Sequence, residues 1–225
     1  MKVMFAIPAY DGTCHVFMVR SLMAEMEILR NAGIDCCSEF YPGCCYLPVS
    51  RNMLADIFLK SDATDIFFVD TDVEWKPGAA LKILQIDREI IVGLYPHKNG
   101  QGSFPGAVCK DDHGYMNIEN GLIEMATAPT GFMRIQRKVF ETIDQHCPDL
   151  EVIDGRDPDN LETYKCYFDT MKIRKNWWGE DTHFCNIWRA IGGRIWAYMD
   201  IEFTHHGFYG FRGNFLKAIG EKGNV

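Results

Sequence analysis

Two carboxylates separated by one residue are the first feature of this sequence that could do chemistry. Asp70 and Asp72 lie in the stretch FFVDTDVEW (67–75), where apolar residues directly precede the first aspartate. We expect a buried strand here, and side chains two residues apart on a strand point to the same side. Carboxylate oxygens suit a hard cation such as Mg²⁺ or Mn²⁺. The pair predicts either a cation site or an ordinary exit from a strand into a turn.

A second acidic pair begins a predicted helix. Glu180 and Asp181 lie in WWGEDTHFC (177–185), and acids in the first turn of a helix are favoured by the helix dipole alone. The preceding Trp177 and Trp178 offer aromatic faces that can stack on sugar rings or bases. The stretch therefore indicates a plain helix start or a carbohydrate pocket.

Two adjacent histidines lie near the end of the chain. His205 and His206 belong to THHGFYGFRG (204–213), whose glycines and aromatic residues indicate a shaped loop. A histidine here could supply a third ligand to a metal ion, although such pairs more often have no metal role.

Strands that alternate with helices must position these groups. The strands are continuous apolar runs, which favours an α/β fold with a mostly parallel central sheet flanked by helices. Ligands bind such sheets at the carboxyl ends of the strands. Four side chains directly follow predicted strand ends and could share one crevice: Asp11, Asp70, Asp72 and Lys98.

The helices are predicted from apolar residues at helical spacing. The first covers residues 14–32, with Gly33 at the C′ position, and the second covers 51–61, with Ser50 as N-cap. Further helices are predicted at 76–85, 137–145 and 179–193, and strands at 3–7, 34–40, 65–72, 89–96 and 194–201.

Two regions depart from this alternation. Residues 106–136 predict short, partly antiparallel strands with Gly and Asp turns, a smaller antiparallel part of the fold. Residues 148–176 are rich in acids, glycines and prolines, and we expect a mobile flap beside the acceptor site. Asp157 and Asp159 repeat the Asp-x-Asp spacing there, but no apolar strand precedes them.

Composition restricts the class of protein. The chain has 225 residues, 47% of them hydrophobic, which predicts a single domain over residues 1–225. A net charge of −8 argues against a nucleic-acid-binding protein. Nine cysteines without a C-x-x-C pair indicate reduced thiols and a cytoplasmic location. No apolar run approaches the ~18 residues of a transmembrane segment.

Phosphate-binding glycine loops are absent from the sequence. No G-x-G-x-x-G follows the first strand and no G-x-x-x-x-G-K-[ST] occurs, which disfavours a Rossmann dehydrogenase and a P-loop kinase. If a nucleotide diphosphate binds, a metal ion has to neutralise it instead.

An ordered series of motifs resembles the glycosyltransferases of the GT-A fold, closest to the family-2-like enzymes, over nearly the whole chain. Two features depart from the pattern: Ala-Pro precedes Thr130-Gly131, and two histidines stand where the pattern has one. The motifs are IPAYDG (7–12), SRNMLADIFL (50–59), FFVDTDVEWKPGAALKIL (67–84), IIVGLYPHK (90–98), APTGFMRIQRKVFE (128–141), GEDTHFCNIWRAIGGRIW (179–196) and THHG (204–207).

The resemblance implies an enzyme that transfers a sugar from a nucleotide-diphosphate sugar to an acceptor hydroxyl, with Mn²⁺ or Mg²⁺ as cofactor. Asp181 corresponds to the general base of an inverting reaction, and Glu180 would position the acceptor or share the proton. The implied metal site is Asp72, Asp70 (on the metal or the ribose) and His205, with His206 as the alternative. The donor would also meet Asp11, Arg51 and Thr71, and the acceptor Lys98, Trp177 and Trp178.

Alternatives stay open for several of these assignments. Arg51 could bind a phosphate or could be a helix-start residue paired with an acid. The protein could also be a sugar-nucleotide pyrophosphorylase or a non-catalytic carbohydrate-binding module. The acceptor could be a glycan, a lipid-linked sugar, a protein or a modified DNA base.

Overall fold

The computed structural model describes residues 1–153 and 163–222. Strands and helices alternate in the first half of the chain, and short strands dominate the second. Their order is β1 (Lys2–Ala9), α1 (Val16–Asn31), β2 (Asp35–Pro42), α2 (Leu47–Lys60), β3 (Asp65–Val69), β4 (Val73–Trp75), α3 (Ala79–Leu84), β5 (Ile90–Gly93), β6 (Ala107–Val108), β7 (Ile118–Glu119), β8 (Leu122–Thr127), β9 (Phe132–Gln136), α4 (Arg137–His146), a 3₁₀ turn (Pro148–Leu150), β10 (Glu151–Ile153), β11 (Thr163–Lys165), β12 (Met171–Ile173), β13 (Asn176–Trp178), α5 (Glu180–Ala190), β14 (Ile195–Tyr198), β15 (Glu202–His206), β16 (Gly210–Asn214) and α6 (Phe215–Lys222).

A nine-stranded mixed sheet forms the centre of the protein, in the order β2-β1-β3-β9-β5-β14-β8-β6 with β7 beside β8. β2, β1, β3, β5 and β14 run in one direction, while β9 lies antiparallel between β3 and β5. β8 pairs antiparallel with β14, β6 and β7. The predicted α/β class is confirmed, and so are the short antiparallel strands of the middle region.

Helices cover both faces of the middle of this sheet, and the strand β3 that lies there is buried on both sides. In β3, Ile66 and Phe68 belong to the core beneath α2, α4 and α5, whereas Phe67 and Val69 belong to the core beneath α1 and α3. All four side chains are fully buried. A strand buried on both faces needs a continuous apolar run, which is the pattern that the sequence has here.

The end of α1 agrees with the prediction from the sequence, whereas the start of α2 does not. Gly33 follows α1 at φ +75°, a left-handed conformation that favours glycine, as predicted for the C′ position. α2 begins at Leu47 after the N-cap residue Tyr46, so Ser50 lies inside the helix and its prediction as N-cap is wrong. Pro48 is tolerated because the backbone N–H groups of the first turn have no helical partner.

A small sheet carries the strand that continues from β3. β4 pairs with β15, which pairs with β16, and all three run antiparallel. β4 follows β3 after only three residues. The pairing of β4 in this small sheet therefore holds the turn 70–72 at the carboxyl end of β3.

The predicted flap at 148–176 is anchored in part. Residues 154–162 lie outside the described residues. Tyr167 and Phe168 are buried in the main core, and Asn52 of α2 makes two hydrogen bonds with the backbone of Phe168, at 2.8 and 2.9 Å. The prediction of a mobile flap is wrong at Tyr167 and Phe168, because their side chains fill space between α2 and α5.

The nine cysteines are all free thiols, and two of them, Cys36 and Cys185, are buried. Within residues 1–153 and 163–222, no helix has the length and apolar character needed to cross a membrane.

Candidate active site

The two acidic motifs meet at one buried arginine. Arg51 of α2 is only 2% exposed, and its guanidinium lies between Asp70 and Glu180. Nη2 donates to Asp70 Oδ1 at 2.8 Å, and Nε donates to Glu180 Oε1 at 3.2 Å. The fold therefore brings the Asp-Thr-Asp turn and the start of α5 into one crevice, although 110 positions of sequence separate the two acids (180 − 70).

Arg51 serves the two carboxylates rather than an external anion. Burial alone lowers its pKa, but Asp70 and Glu180 outweigh burial and raise the pKa above the ordinary value. With 2% exposure the side chain offers almost no surface to a phosphate. The structure thus favours the interpretation of Arg51 as a residue paired with acids over the interpretation as a phosphate ligand.

Asp70 is held by a second donor and by a close glycine. Tyr95 Oη donates to Asp70 Oδ2 at 3.2 Å, and burial, followed by the charge of Asp70, raises the tyrosine pKa well above its usual range. Tyr95 therefore remains a proton donor. A Cβ at residue 131 would overlap both the Asp70 carboxylate and the Tyr95 hydroxyl, so only glycine fits at Gly131.

Asp72 faces a different set of partners. The Lys98 ammonium contacts its Oδ2 directly, and His205 Nε2 lies 3.4 Å from its Oδ1. His205 Nδ1 lies 2.9 Å from the carbonyl oxygen of Pro96, which can only accept, so Nδ1 carries a proton and Nε2 faces the carboxylate. Burial raises the pKa of Asp72, but His205 and Lys98 outweigh burial and lower it.

The two aspartates do not lie on one strand as the sequence predicted. β3 ends at Val69, and residues 70–72 form a turn in which Val73 N donates to Asp70 O at 3.3 Å. In this turn the two carboxylates contact different residues and do not converge on one point. The ring of Tyr95, which donates to Asp70, packs edge-on against His205 at 4.8 Å and so connects the two groups.

His206 points away from Asp72, as expected for the neighbour of His205 on a strand. Its Nε2 lies 2.8 Å from Glu74 Oε2, and its ring stacks on His15 at 3.8 Å. Only its backbone serves the turn, by donating to Asp72 O at 2.8 Å. Of the two histidines, His205 is therefore the one whose side chain faces the candidate site.

Asp181 lies in the first turn of α5, next to Glu180. Burial and then the charge of Glu180 raise its pKa above the usual range for aspartate. Its Oδ1 accepts a hydrogen bond from Thr182 N at 2.6 Å. A partly buried carboxylate with a raised pKa in a crevice is a candidate for proton transfer.

Four other predicted site residues have weaker support. Asp11 is exposed, and its Oδ1 accepts from Thr13 N and Oγ1 at 3.0 and 2.7 Å, which is ordinary turn chemistry. Thr71 O accepts from His15 N at 2.8 Å and thereby ties the loop after β1 to the turn. Trp177 is 70% exposed, while Trp178 Nε1 is buried and lacks a hydrogen-bond partner within the described residues.

Lys98 contacts a different group of the site from the one that the sequence predicted. It was expected beside the acceptor, but its ammonium contacts Asp72, among the groups expected to meet the donor phosphates. Its assignment to the acceptor has no supporting contact in the structure.

Sequence reasoning missed two residues that shape the site, Tyr95 and Gly131. Both stand inside motifs that were noted, the strand ending in Tyr-Pro and the Thr-Gly-Phe segment. Nothing in their local pattern reveals that they approach Asp70, because β9 enters the sheet beside β3 only in the folded chain.

Comparison with known proteins supports the fold only. The structure is similar to the crystal structure of A197 from STIV, with a TM-score of 0.54 and 18% identity over 92% of this chain and 86% of that one. A putative glucose-1-phosphate thymidylyltransferase from Bacillus anthracis, solved in complex with a sucrose, has a TM-score of 0.37 and 11% identity over 64% of this chain and 75% of that one, which is too distant to carry an argument. No protein-family model and no curated protein matches the sequence.

Proposed function

We propose that this protein is a glycosyltransferase that moves a sugar from a nucleotide-diphosphate sugar to an acceptor hydroxyl with inversion. The observation that carries the proposal is the bridge from Asp70 through Arg51 to Glu180, at 2.8 and 3.2 Å. This bridge joins two parts of the site. One is the turn 70–72, whose aspartates can hold the positive charge that a diphosphate needs. The other is the start of α5, whose acids can act as a base. The order of motifs that resembles GT-A glycosyltransferases supports the same conclusion.

Asp181 has the proposed role of general base. As the acceptor oxygen attacks the anomeric carbon, the hydroxyl proton passes to the Asp181 carboxylate, and the bond from that carbon to the leaving phosphate breaks. A base works best with a pKa near the operating pH, and the pKa of Asp181 is shifted in that direction. Glu180, fixed by Arg51, would orient the acceptor.

Asp72, Lys98 and His205 form the proposed phosphate side of the site. Lys98 offers a positive charge to the diphosphate, and Asp72 keeps the ammonium in place. Positive charge on this side stabilises the negative charge that develops on the leaving group.

The same residues fit a divalent cation in part. Asp72 Oδ1 and His205 Nε2 lie 3.4 Å apart, so a neutral imidazole with its proton on Nδ1 would offer Nε2 as a second ligand beside the carboxylate. The Nδ1 bond to Pro96 orients the imidazole as is usual for a metal ligand. Within the described ranges, no group of three His, Cys, Asp or Glu side chains could hold a metal ion. A bound Mn²⁺ or Mg²⁺ would therefore need oxygens of the diphosphate or water as further ligands, and it would add Lewis-acid charge to that of Lys98. Asp70 as a metal or ribose ligand stays a prediction, since Arg51 and Tyr95 occupy its oxygens here.

A nucleotide-sugar screen tests this proposal. The protein is incubated with UDP-, GDP- and dTDP-sugars and Mn²⁺, and release of the nucleoside diphosphate is measured for wild type, Asp181→Asn and Asp72→Asn. Asp62→Asn is a matched control, because Asp62 is an exposed carboxylate paired with Lys2 at the start of β1.

We expect release by wild type and the control and strong loss in both site variants. Synthesis of a nucleotide sugar from a nucleoside triphosphate and a sugar phosphate would instead establish a pyrophosphorylase. Sugar binding without turnover or nucleotide affinity would establish a binding module. Either result overturns the proposal.

A further inference from the structure

A hairpin of two short strands directly precedes α5. Among the described strands, β12 and β13 pair only with each other. Met171 and Trp178, at the base of the hairpin, are partly buried, whereas every residue from 172 to 177 is exposed. We call residues 171–178, MKIRKNWW, the basic hairpin. It stands on the surface without support from the central sheet.

The charge of the basic hairpin is opposite to that of the chain. It contains three cations (Lys172, Arg174 and Lys175) and no acid, whereas the whole chain has a net charge of −8. In the part of the chain that the structure describes, no carboxylate forms an ion pair with any of the three. Exposed charges are screened beyond roughly 10 Å at about 0.1 M salt. An anionic surface at the end of the hairpin therefore meets mainly these cations and little of the remaining charge.

Turn chemistry does not account for the cation at position 174. Ile173 pairs with Asn176, so Arg174 and Lys175 form a two-residue turn. Arg174 has φ +57°, in the left-handed region. Glycine, asparagine and aspartate are the usual residues there, because a larger side chain is strained in this conformation. The sequence thus has a guanidinium, a group suited to phosphate, at the end of the hairpin where the backbone favours a smaller residue.

Apolar side chains are exposed on both faces of the basic hairpin. Trp177 is 70% exposed and Ile173 is 46% exposed. The register pairs Trp177 with Lys172 and Ile173 with Asn176, and successive pairs along a hairpin face opposite sides. A strand of nucleic acid lies against one face of a hairpin, whereas a lipid interface surrounds an inserted hairpin on both. The exposure of Trp177 and Ile173 on opposite faces favours the lipid interface.

We propose that the basic hairpin docks the protein on an anionic lipid membrane surface. The three cations contact lipid phosphates and carboxylates, while Trp177 and Ile173 enter the boundary between headgroups and acyl chains, where tryptophan is enriched in membrane proteins. Basic and apolar groups act together because either signal alone gives weak attachment. β13 is three residues long, about 10 Å, and only Gly179 separates it from α5, so docking holds the start of α5 near the headgroups. Docking of this kind does not depend on the reaction that the site performs.

Cosedimentation with vesicles tests the docking. The full chain is mixed with vesicles of phosphatidylcholine alone, or of equal parts phosphatidylcholine and phosphatidylserine, and the bound fraction is measured against lipid concentration. The test variant removes the three cations of the hairpin, with asparagine at the left-handed position: Lys172→Gln/Arg174→Asn/Lys175→Gln. The control variant removes three exposed lysines elsewhere and so has the same net charge: Lys82→Gln/Lys110→Gln/Lys217→Gln. An unchanged melting temperature verifies that each variant is folded.

Wild type should bind the vesicles that contain phosphatidylserine, and bind those of phosphatidylcholine at least about tenfold more weakly. Each Lys or Arg near an anionic surface contributes roughly fivefold to binding, so the test variant should lose about 100-fold. The control variant should stay within about threefold of wild type, because its lysines lie away from the surface and are screened.

Lipids brominated on their acyl chains separate insertion from attraction to charge, since bromine quenches the fluorescence of an indole that it contacts. Wild type on anionic vesicles should be quenched, and Trp177→Phe should bind but lose most of the quenching, because Trp75 and Trp196 are fully buried. Absence of wild-type binding to the anionic vesicles, absence of quenching, or an equal effect of the test and control changes would overturn the proposal. Binding to single-stranded DNA that needs the same cations and exceeds binding to vesicles would also overturn it, since the hairpin would then be a nucleic-acid surface.

Discussion

Replacing Asp181 by asparagine should lower activity and raise stability at once. The substitution keeps the size of the side chain and an oxygen that can accept the hydrogen bond from Thr182 N, 2.6 Å away in the native chain. What it removes is the negative charge and the ability to take up a proton. The two effects have different physical causes, so they can be measured separately.

The loss of activity follows from the role of general base. Such a group typically contributes ~10²–10⁴ in rate, so kcat for sugar transfer should fall by about that factor. Donor affinity should be nearly unchanged, because the proposed phosphate contacts are made by other residues, Asp72 and Lys98. In wild type, activity should rise with pH through the raised pKa of Asp181, and the residual activity of the variant should lack this dependence.

The gain in stability follows from the raised pKa of Asp181, caused by burial and then by Glu180. A carboxyl whose pKa is higher in the folded than in the unfolded chain makes folding less favourable once it ionises. This penalty is absent below the unfolded pKa of about 3.9 and complete above the folded pKa. Asp181→Asn should therefore raise the melting temperature at pH 7, and the gain should disappear as the pH falls to about 4. Loss of the favourable helix-dipole interaction, ~0.3–1 kcal/mol, works in the opposite direction.

Melting curves at pH 7 and pH 4, with kcat measured on the same preparations, test both effects. Glu180→Gln is the matched comparison, since it changes the adjacent acid but removes the charge that pairs with buried Arg51 and should lower the melting temperature. A plain helix-start role for Asp181 predicts the reverse pattern, a lower melting temperature with nearly normal kcat. That pattern, or a product that retains the anomeric configuration, would refute the reasoning.

Three further predictions concern the groups around Asp181. Arg51→Met leaves the Asp70 and Glu180 carboxylates without the cation between them, and it should reduce the free energy of unfolding by about 3–5 kcal/mol. Chemical denaturation measures this loss. A change below about 1 kcal/mol would contradict the buried bridge. Gly131→Ala places a methyl group against the Asp70 carboxylate and should abolish sugar transfer, whereas the same change at Gly220, where a Cβ meets nothing within 4 Å, should leave kcat unchanged. His205→Ala should weaken binding of the nucleoside diphosphate with Mn²⁺ in calorimetry; a loss as large in the variant of His206, which faces Glu74 instead, would argue against the assignment.

The sequence determined the elements that carry the site. Apolar continuity predicted β3 as a buried strand, because a strand covered by helices on both faces has no polar side. Glu180 and Asp181 begin α5 as predicted, and Gly33 ends α1, since these features depend on neighbouring residues only. The resemblance of the ordered motifs also implied one active site with acids from 70–72 and 180–181, and Arg51 contacts Asp70 and Glu180 in the structure.

The tertiary structure decided which atoms meet. β9 enters the sheet antiparallel beside β3 and brings Gly131 against Asp70, an approach that no local pattern encodes. Burial turned Arg51 from an expected phosphate ligand into the bridge between two carboxylates, because a charge without solvent has to be paired within the protein. The pairing of β15 with β4 selected His205 over His206, since alternate residues of a strand face opposite sides and only the paired strand fixes which side meets Asp72.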